Sequence, residues 1–479
     1  MFELAQAAVE AALAAGARFA DARVVITRDQ RLRAQDGVLE ELTQGESVGL
    51  GVRALMGAGW GHASTPQLTT LHVRRAGEQA AEAARSAAKV PGRPAELLPE
   101  PAIVAEWENA FDEDPMAVPL DEKASLLIGV TEAMKAAGAD IATAAIAVWD
   151  VETWLVSSEG TRIRQRVRKC GGGMSATAIG ERETQRRSHP SAFGNYGTQG
   201  YELIRSFDLP GNAVRLAEEA KALLTAPECP STTTDLILGS EQMALQIHES
   251  VGHAVELDRI LGWEAAFAGT SWLDLAQLGS LRYGSELMNI TADATIEGGL
   301  GSFGYDDEGT AARPVDIVKD GIWVGVLSGR DSAARAGLSQ SGAAIRADGW
   351  ARMPMVRMTN VGLLPGTSSL EEIVADTKDG VFMENNRSWS IDDRRRNFQF
   401  GCEIAYEIKN GRRGRMLRNP TYTGIGPTFW ASLDALAGPD ELTVWGTPNC
   451  GKGQPLQIGH TGHPSVPGRF RDVRVGVRG

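Results

Sequence analysis

The chain of 479 residues is poor in several things, and each shortage excludes something. It has four cysteines, Cys170, Cys229, Cys402 and Cys450, widely separated and without a CxxC pair. That excludes a disulfide-stapled fold and fits a reducing compartment. No apolar run approaches the roughly eighteen residues of a membrane-spanning helix, so no membrane association is expected. Positive charge is in deficit: 48 Lys and Arg stand against 61 Asp and Glu, a formal net charge of −13. Nucleic-acid-binding domains are usually basic, so nucleic acid is not an expected partner. Met1-Phe2-Glu3-Leu4 carries an acid where a secretory leader has a basic region, and a cytoplasmic location is expected. Histidine is scarce, at 7 residues, which makes any clustering of it informative.

What is present is ordinary for a soluble globular protein: 43 % hydrophobic and 23 % charged residues. The 55 glycines suggest many turns and strands. Residues 3–16 read as an alanine-rich helix ending at Gly16. Short strands follow at 22–25, 31–34, 38–42 and 47–55, with a turn at Asp36-Gly37, and then a helix at about 67–88. Six prolines between 90 and 119 mark a connector. The order then repeats: a helix at 120–137, strands near 143–157, 161–168 and 173–179, and a helix at 211–225. Helix, antiparallel strands, helix occurs twice, so 1–90 and 118–226 read as related subdomains of an N-terminal α+β domain, 1–226. Arg182, Arg186, Arg187 and His189 fall in its loops and read as a solvated face. Pro227 and Pro230 mark the boundary to a second domain, 227–479. There Asp320-Gly321 and Asn410-Gly411 signal hairpins, 352–360 reads as a strand, and short helices are expected at 369–377 and 427–438. The fold class is α+β, with a mainly antiparallel β C-terminal region.

One stretch of that region concentrates chemistry: Ile247-His248-Glu249-Ser250-Val251-Gly252-His253-Ala254-Val255-Glu256-Leu257-Asp258. Met243, Ile247, Val251 and Val255 recur at every fourth position, which predicts a buried stripe on a helix of about 241–257 with Ser240 as N-cap. His248 and His253 are five apart, about 140° on a regular α-helix. That is wider than the i,i+4 pair of an HExxH zinc helix. One metal can still bridge them if the helix opens by one residue, as in a π-bulge, and Gly252 sits where such a distortion is cheap. The bland alternative is two histidines packed beside the core stripe.

A catalytic zinc takes about three protein ligands, so a third must come from elsewhere. Glu256, Cys450, and the pair His460 and His463 are the candidates. Cys450 lies in Pro448-Asn449-Cys450-Gly451-Lys452-Gly453, which reads as a polar loop, with Lys452 placed to favour a thiolate. Cys402 reads as a strand residue; Cys170 and Cys229 read as packing. The acidic run Asp306-Asp307-Glu308 reads as a solvated turn, as a place to orient substrate or as a second metal site. Arg394-Arg395-Arg396 and Arg412, Arg413 and Arg415 are basic clusters of the kind exposed edge strands carry, or contacts for a substrate carboxylate.

Several stretches in order carry a resemblance. They are Gly16-Ala17-Arg18-Phe19-Ala20-Asp21-Ala22-Arg23, Gly49-Leu50-Gly51-Val52-Arg53, Trp60-Gly61-His62-Ala63-Ser64-Thr65, His248-Glu249-Ser250-Val251-Gly252-His253, Asp306-Asp307-Glu308-Gly309, Arg357-Met358-Thr359-Asn360, Pro365-Gly366 and Phe398-Gln399-Phe400. Over nearly its whole length the chain resembles the TldD/PmbA family of zinc metallopeptidases, on the TldD side, since the PmbA (TldE) subunit lacks HExxxH. The resemblance implies Zn2+ held by His248, His253 and Cys450, with Glu249 as catalytic base and Glu256 no longer a ligand. It implies an α+β fold whose β-rich C-terminal region carries the HExxxH helix, and a homodimer or a heterodimer with a TldE/PmbA-like subunit. The implied substrates are unfolded or extended peptides in the cytoplasm, with Asp306, Asp307 and Glu308 as substrate-binding candidates. Ser250 replaces the small apolar residue usual there, and 383–390 lacks the glycine-rich form expected, which bears on substrate preference. Two other readings compete: an inert peptide-binding scaffold, and a subunit that modifies peptides without cleaving them.

Overall fold

The structure is a computed structural model and describes residues 1–267 and 269–476. Its first half is organised by one long strand pairing. Phe19–Gln35 runs antiparallel to Ile141–Ser157, from Asp21 opposite Ser157 to Gln35 opposite Thr143. Both helix–strand–helix units therefore contribute to one sheet, in the order Gly59–Thr65, Val38–Met56, Phe19–Gln35, Ile141–Ser157, Arg162–Ile179, Val104–Glu108. Helices Phe2–Ala14 and Thr70–Ala87 pack Ala5, Ala8, Val73 and Ala80 against Val24 and Val52 on one face. Helices Leu120–Ala136 and Leu209–Thr225 pack Leu127, Met134 and Leu216 against Ile146 and Met174 further along. Thr69 and Asp208 start two of these helices by accepting N–H groups of His72 and Gly211, the usual use of such residues at an N-cap.

The strands are longer than local patterning predicts. Residues 22–25 and 31–34 are parts of one strand, because its polar middle is not a turn: Thr27, Asp29 and Arg31 line a cavity on the face away from the helices. Residues 161–179 are likewise one strand, held extended by Ile141–Ser157 on one side and by Asn195–Gly197 and Thr184–His189 on the other. The proline-rich connector contains a strand, Val104–Glu108, added in parallel to the sheet edge. The cluster expected as a solvated face is partly buried. Arg187 is 5 % exposed and pairs with Glu219 (2.9 Å) and Glu403 (3.4 Å), and the His189 ring bonds the Phe207 carbonyl.

The second half, as expected, is β-rich and mainly antiparallel. Asp379–Ile391, Thr232–Leu238, Gly468–Val475, Thr421–Ile425 and Asn397–Lys409 pair in that order, and Asn397–Lys409 pairs back to Asp379–Ile391. The circuit is closed, which removes strand edges. Strand Thr232–Leu238 leads straight into the helix Ser240–Ile247, and a separate hairpin, Thr443–Lys452 with Gln457–Ser465, lies against that helix. Trp445 Nε1 donates to Ser240 Oγ (3.2 Å) and Ser465 Oγ to the Ser240 carbonyl (2.8 Å). Ser240 is thus the first helical residue, after Gly239 as N-cap, and serves the hairpin instead of the helix end. The strand expected at 352–360 is reduced to Met355–Val356 and a single bridge from Asn360 to Gly462, and the Arg357 and Asn360 side chains bond backbone carbonyls. The helix expected at 427–438 is Gly426–Ala431, followed by a strand, Leu433–Leu436.

Ion pairs join the two halves. Arg53 on the N-terminal sheet, 4 % exposed, bonds both Asp21 and Glu308, the latter at 3.2 Å. Arg23 pairs with Asp307 at 2.9 Å. Trp350 lies so close to strand Val38–Met56 that a side chain at Gly51 would strike its carbonyl and one at Gly49 its ring, so the tight junction requires glycine there. Removing one member of a buried pair leaves charge uncompensated, at about 3–5 kcal/mol. Arg53→Ala is therefore expected to lower unfolding free energy by about that amount in urea titrations; a loss below about 1 kcal/mol would show that the junction does not depend on it.

Candidate metal centre

The helix that begins at Ser240 does not run regularly to 257. At His248 it opens into a π turn, His248–Gly252, closed by a hydrogen bond from His253 N–H to the His248 carbonyl at 3.2 Å. With i→i+5 closure the fifth residue returns to nearly the same face. The two imidazoles consequently meet, with ring centroids 4.8 Å apart and planes perpendicular. Gly252 matters here for space: a side chain on it would run into Met358 Sδ, and Met358 is fully buried.

A widened turn leaves backbone carbonyls without helical partners, and buried ones must be satisfied. Tyr283 donates its hydroxyl to the Ser250 carbonyl at 2.6 Å, and Ser271 donates to the Ala254 carbonyl at 2.7 Å. Ser250 itself is saturated. Its hydroxyl donates to the Gln246 carbonyl (2.6 Å) and accepts from Gln246 Nε2 (3.0 Å) and Trp430 Nε1 (2.9 Å). Gln246 continues to the Tyr422 hydroxyl and on to Gln242, all buried. The residue that departs from the expected small apolar type is thus a fully bonded member of a buried network.

Hydrogen bonds also fix which nitrogen each histidine presents. His463 Nδ1 lies 2.9 Å from the Val361 carbonyl, which can only accept, so that nitrogen carries the proton. Burial, with His248 close by, pushes His463 far below the ordinary histidine pKa, so the ring is neutral and Nε2 is an acceptor. His248 Nδ1 lies 2.8 Å from it and donates; the Thr461 hydroxyl is also near, at 3.1 Å. His253 Nδ1 faces the Glu256 carboxylate at 2.9 Å. Burial opposes that charge, but Lys452, His253 and Arg259 outweigh it and hold Glu256 well below the usual carboxylate range. Both rings therefore carry their proton on Nδ1 and leave Nε2 free as a donor of electrons. Burial lowers the pKa of both, which keeps them neutral, as metal ligation needs.

Cys450 completes the cluster from the hairpin. It lies in strand Thr443–Lys452, 4 % exposed, and not in an open loop. The register shift between Thr447 and Cys450 accommodates Pro448-Asn449. Its Sγ is 3.6 Å from His253 Nε2. Burial would raise its pKa, yet His253 and Arg357 bring it below the ordinary thiol value. Lys452 has no part in this: its ammonium goes to Asp258 (2.8 Å), Glu256 (3.3 Å) and the Val356 carbonyl (2.8 Å). Ligand atoms of His248, His253 and Cys450 lie within 4.8 Å of one another. The other third-ligand candidates stand elsewhere. Glu256 and His463 orient the two histidines from behind, and His460 meets Trp149 edge to face, centroids 4.6 Å apart.

Glu249, 6 % exposed, is adjacent to His248 in the π turn, and its Oε2 is held by Arg395. That arginine lies at a turn with positive φ (62°) between two strands of the closed sheet. In sequence its cluster reads as edge charge or as a contact for a substrate carboxylate; nothing local distinguishes Arg395 from Arg394 or Arg396. The carboxylates at 306–308 are engaged by protein groups. Asp306 accepts N–H groups of Glu308, Thr310 and Ile345; Glu308 takes Arg53 and the Arg330 N–H; Asp307 takes Arg23 and the Ala347 N–H.

Comparisons with known proteins match the chain along its length. Residues 231–476 match the PmbA/TldA metallopeptidase C-terminal domain, 20–89 domain 1 of that metallopeptidase, and 113–226 its central domain. A metalloprotease of Methanocaldococcus jannaschii is 30 % identical, covering 93 % of this chain and 94 % of that one. A metalloprotease TldD homolog of Haemophilus influenzae is 27 % identical, covering 96 % and 92 %. Among solved structures, TldE from Thermococcus kodakarensis superposes with a TM-score of 0.71 at 15 % identity, covering 99 % of this chain and 100 % of that one, a likeness of fold.

Two substitutions test the support of the π turn. Tyr283→Phe strands the Ser250 carbonyl and is expected to cost about 1–3 kcal/mol in urea unfolding. Gly252→Ala overpacks against Met358 and is expected to cost about 1–3 kcal/mol, with much of the loss recovered in Gly252→Ala/Met358→Ala. Additive losses in that double variant would place the strain elsewhere.

Proposed function

The chain belongs to the PmbA/TldD metallopeptidase family, and we propose that it is a zinc-dependent peptidase acting on extended or unfolded peptides in the cytoplasm. The observation that carries this reading is the convergence of two Nε2 lone pairs and a thiol of lowered pKa beside a carboxylate. Such a donor set suits zinc, which takes imidazole nitrogen and thiolate sulfur. Zinc–nitrogen bonds of about 2.0–2.1 Å and zinc–sulfur bonds of about 2.3 Å in a tetrahedron imply about 3.6 Å between N and S. The distance from His253 Nε2 to Cys450 Sγ is 3.6 Å. His248, His253 and Cys450 would hold the metal. Zinc so held would acidify a water molecule and polarise a carbonyl.

The chain's own residues would do the rest. Glu249 takes a proton from the attacking water and gives it to the leaving amide nitrogen as the carbon–nitrogen bond breaks, so it ends as it began. Arg395 holds one of its oxygens and so orients the other. Glu256 and His463 keep both imidazoles in the tautomer and orientation the metal requires. His248, His253 and Cys450 are each less than 5 % exposed. A folded surface cannot reach that depth, whereas an extended segment can, which argues for unfolded substrates. A homodimer, or pairing with a TldE-like subunit, is part of the same reading. Glu308 and Asp307 then serve to seat the N-terminal sheet against the site domain through Arg53 and Arg23, Asp306 holds the loop that carries them, and Asp307 also stands on the wall of the adjoining cleft.

Purified protein should contain about one zinc per chain by metal analysis. Glu249→Gln should keep the metal and lose about 10²–10⁴-fold in hydrolysis of unfolded casein. Cys450→Ser should lower zinc content. Undiminished casein hydrolysis by Glu249→Gln would sink the mechanism. Mass shifts other than amide hydrolysis in a peptide mixture would turn the reading toward a non-proteolytic modification.

A further inference from the structure

Between the N-terminal sheet and the hairpin that carries Cys450 lies a cavity of about 690 Å³. Lys169, Arg346 and Arg357 meet on its wall, with His460 among them. Arg357 donates to the Cys450 and Gln457 carbonyls, and Arg346 to those of His460 and Met358. All four acceptors are neutral. Of the carboxylates on the same wall, Asp307 pairs with Arg23 and Asp29 with Arg31, while Asp348, at the exposed rim, takes the Ile458 N–H. Among the described residues, Lys169, Arg346 and Arg357 have no carboxylate partner, and the Lys169 ammonium makes no hydrogen bond. The Nε–H groups of Arg346 and Arg357 are buried without acceptors, and Arg357 is 2 % exposed.

Cations drawn out of water without a directly paired counter-charge are costly, and here Arg357 is buried and Lys169 and Arg346 are half-buried. The cost is visible in the ionisation of the cluster. Burial and then Arg346 push Lys169 down to about 7, and burial and then Arg357 push Arg346 down to about 10, in each case against the opposing pull of Asp307. Burial and then Lys169, Arg346, Arg357 and Arg31 hold His460 far below the ordinary histidine value. A single negative charge entering the cavity would lie beside both guanidiniums and the lysine together. Arg and Lys in such a cluster suit a carboxylate. The three aspartates around the same wall would oppose an ion of higher charge.

We propose that this cavity is a carboxylate subsite, in which Lys169, Arg346 and Arg357 hold a carboxylate of the bound peptide beside the Cys450 strand. The assignment rests on the peptidase reading. The carboxylate is either the free chain end, which would place cleavage near the C-terminus, or an Asp or Glu side chain, which would set a preference for acidic residues near the cut.

The test measures binding without cleavage, using Glu249→Gln and dansyl-labelled alanine-rich peptides followed by anisotropy. One peptide has a free C-terminus, one a C-terminal amide, and one an amide with a single internal Glu. At least one carboxylate form should bind about tenfold tighter than the neutral amide, and which form does so identifies the source. Adding Lys169→Met should erase that preference, and Lys169→Arg should keep it, with zinc content and thermal midpoint unchanged. Equal affinity for all three peptides, including no binding of any, overturns the proposal, as does an undiminished preference in Lys169→Met. The peptide series with Lys169 intact decides the matter even if Lys169→Met fails to fold. Failure of the peptidase reading would appear separately, in the zinc content and casein hydrolysis of the unsubstituted protein.

Discussion

One hydrogen bond, from His253 N–H to the His248 carbonyl, decides which side of the helix the second histidine occupies. On a regular helix the two rings would stand about 140° apart and could not share a ligand. Closing the turn one residue late brings them together but strands backbone carbonyls in the core. The surrounding residues read as compensation for that single choice. Tyr283 and Ser271 supply the missing donors from the segment that follows, and Trp430, Gln246 and Tyr422 tie Ser250 into the closed sheet. A buried polar network is the more tolerable the more of its groups are satisfied; Ser250 uses its one donor and two acceptor positions in full, and Gln242 Oε1 at the far end is left without a partner.

The two histidines are oriented by different means, and the difference has chemical consequences. The chain behind His248 passes through His463 and ends at a backbone carbonyl, so it stays neutral throughout. The chain behind His253 ends at Glu256, a buried carboxylate held by Lys452 and Arg259. An imidazole backed by an anion is the more basic donor, and it is His253 that stands 3.6 Å from the Cys450 sulfur. The cluster of Glu256, Lys452, Asp258 and Arg259 pays a desolvation cost, and breaking any pair within it would leave a buried charge exposed to nothing. Lys452 lies on the same strand as Cys450, so this cluster also locks the hairpin to the helix.

How much of this was legible in sequence depends on the distance over which each feature is encoded. The five-residue spacing and Gly252 are local, so the need for a π turn could be read from them, although the role of the glycine could not. It makes room for Met358, more than a hundred residues away. The hairpins at Asp320-Gly321 and Asn410-Gly411 were legible because their turn residues announce them. Cys450 was misplaced in a loop, since glycine and lysine neighbours conceal a strand whose partner comes only at Gln457–Ser465. Arg395 beside Glu249, Arg53 beside Glu308 and His463 behind His248 had no local signal at all. Each becomes meaningful only through a partner between 146 and 255 residues distant. The long strands were broken up for the opposite reason: polar residues in mid-strand look like turns until a cavity on one face accounts for them.

That cavity explains why the N-terminal sheet is more than a scaffold. A strand alternates its side chains between two faces. Here one face is closed by the alanine-rich helices, and the other is left to Thr27, Asp29, Arg31, Trp149 and Lys169. Because the opposite wall is built from Arg357, Asn449 and Gly459 beside Cys450, the sheet's second face and the Cys450 strand enclose one space. The joining ion pairs, Arg23 with Asp307 and Arg53 with Glu308, lie at that boundary and neutralise one another. Lys169, Arg346 and Arg357 are on the same boundary and, among the described residues, have no carboxylate paired with them. The fold thus meets the charge requirement of the junction with its own carboxylates and leaves the charge requirement of the cavity to whatever enters it.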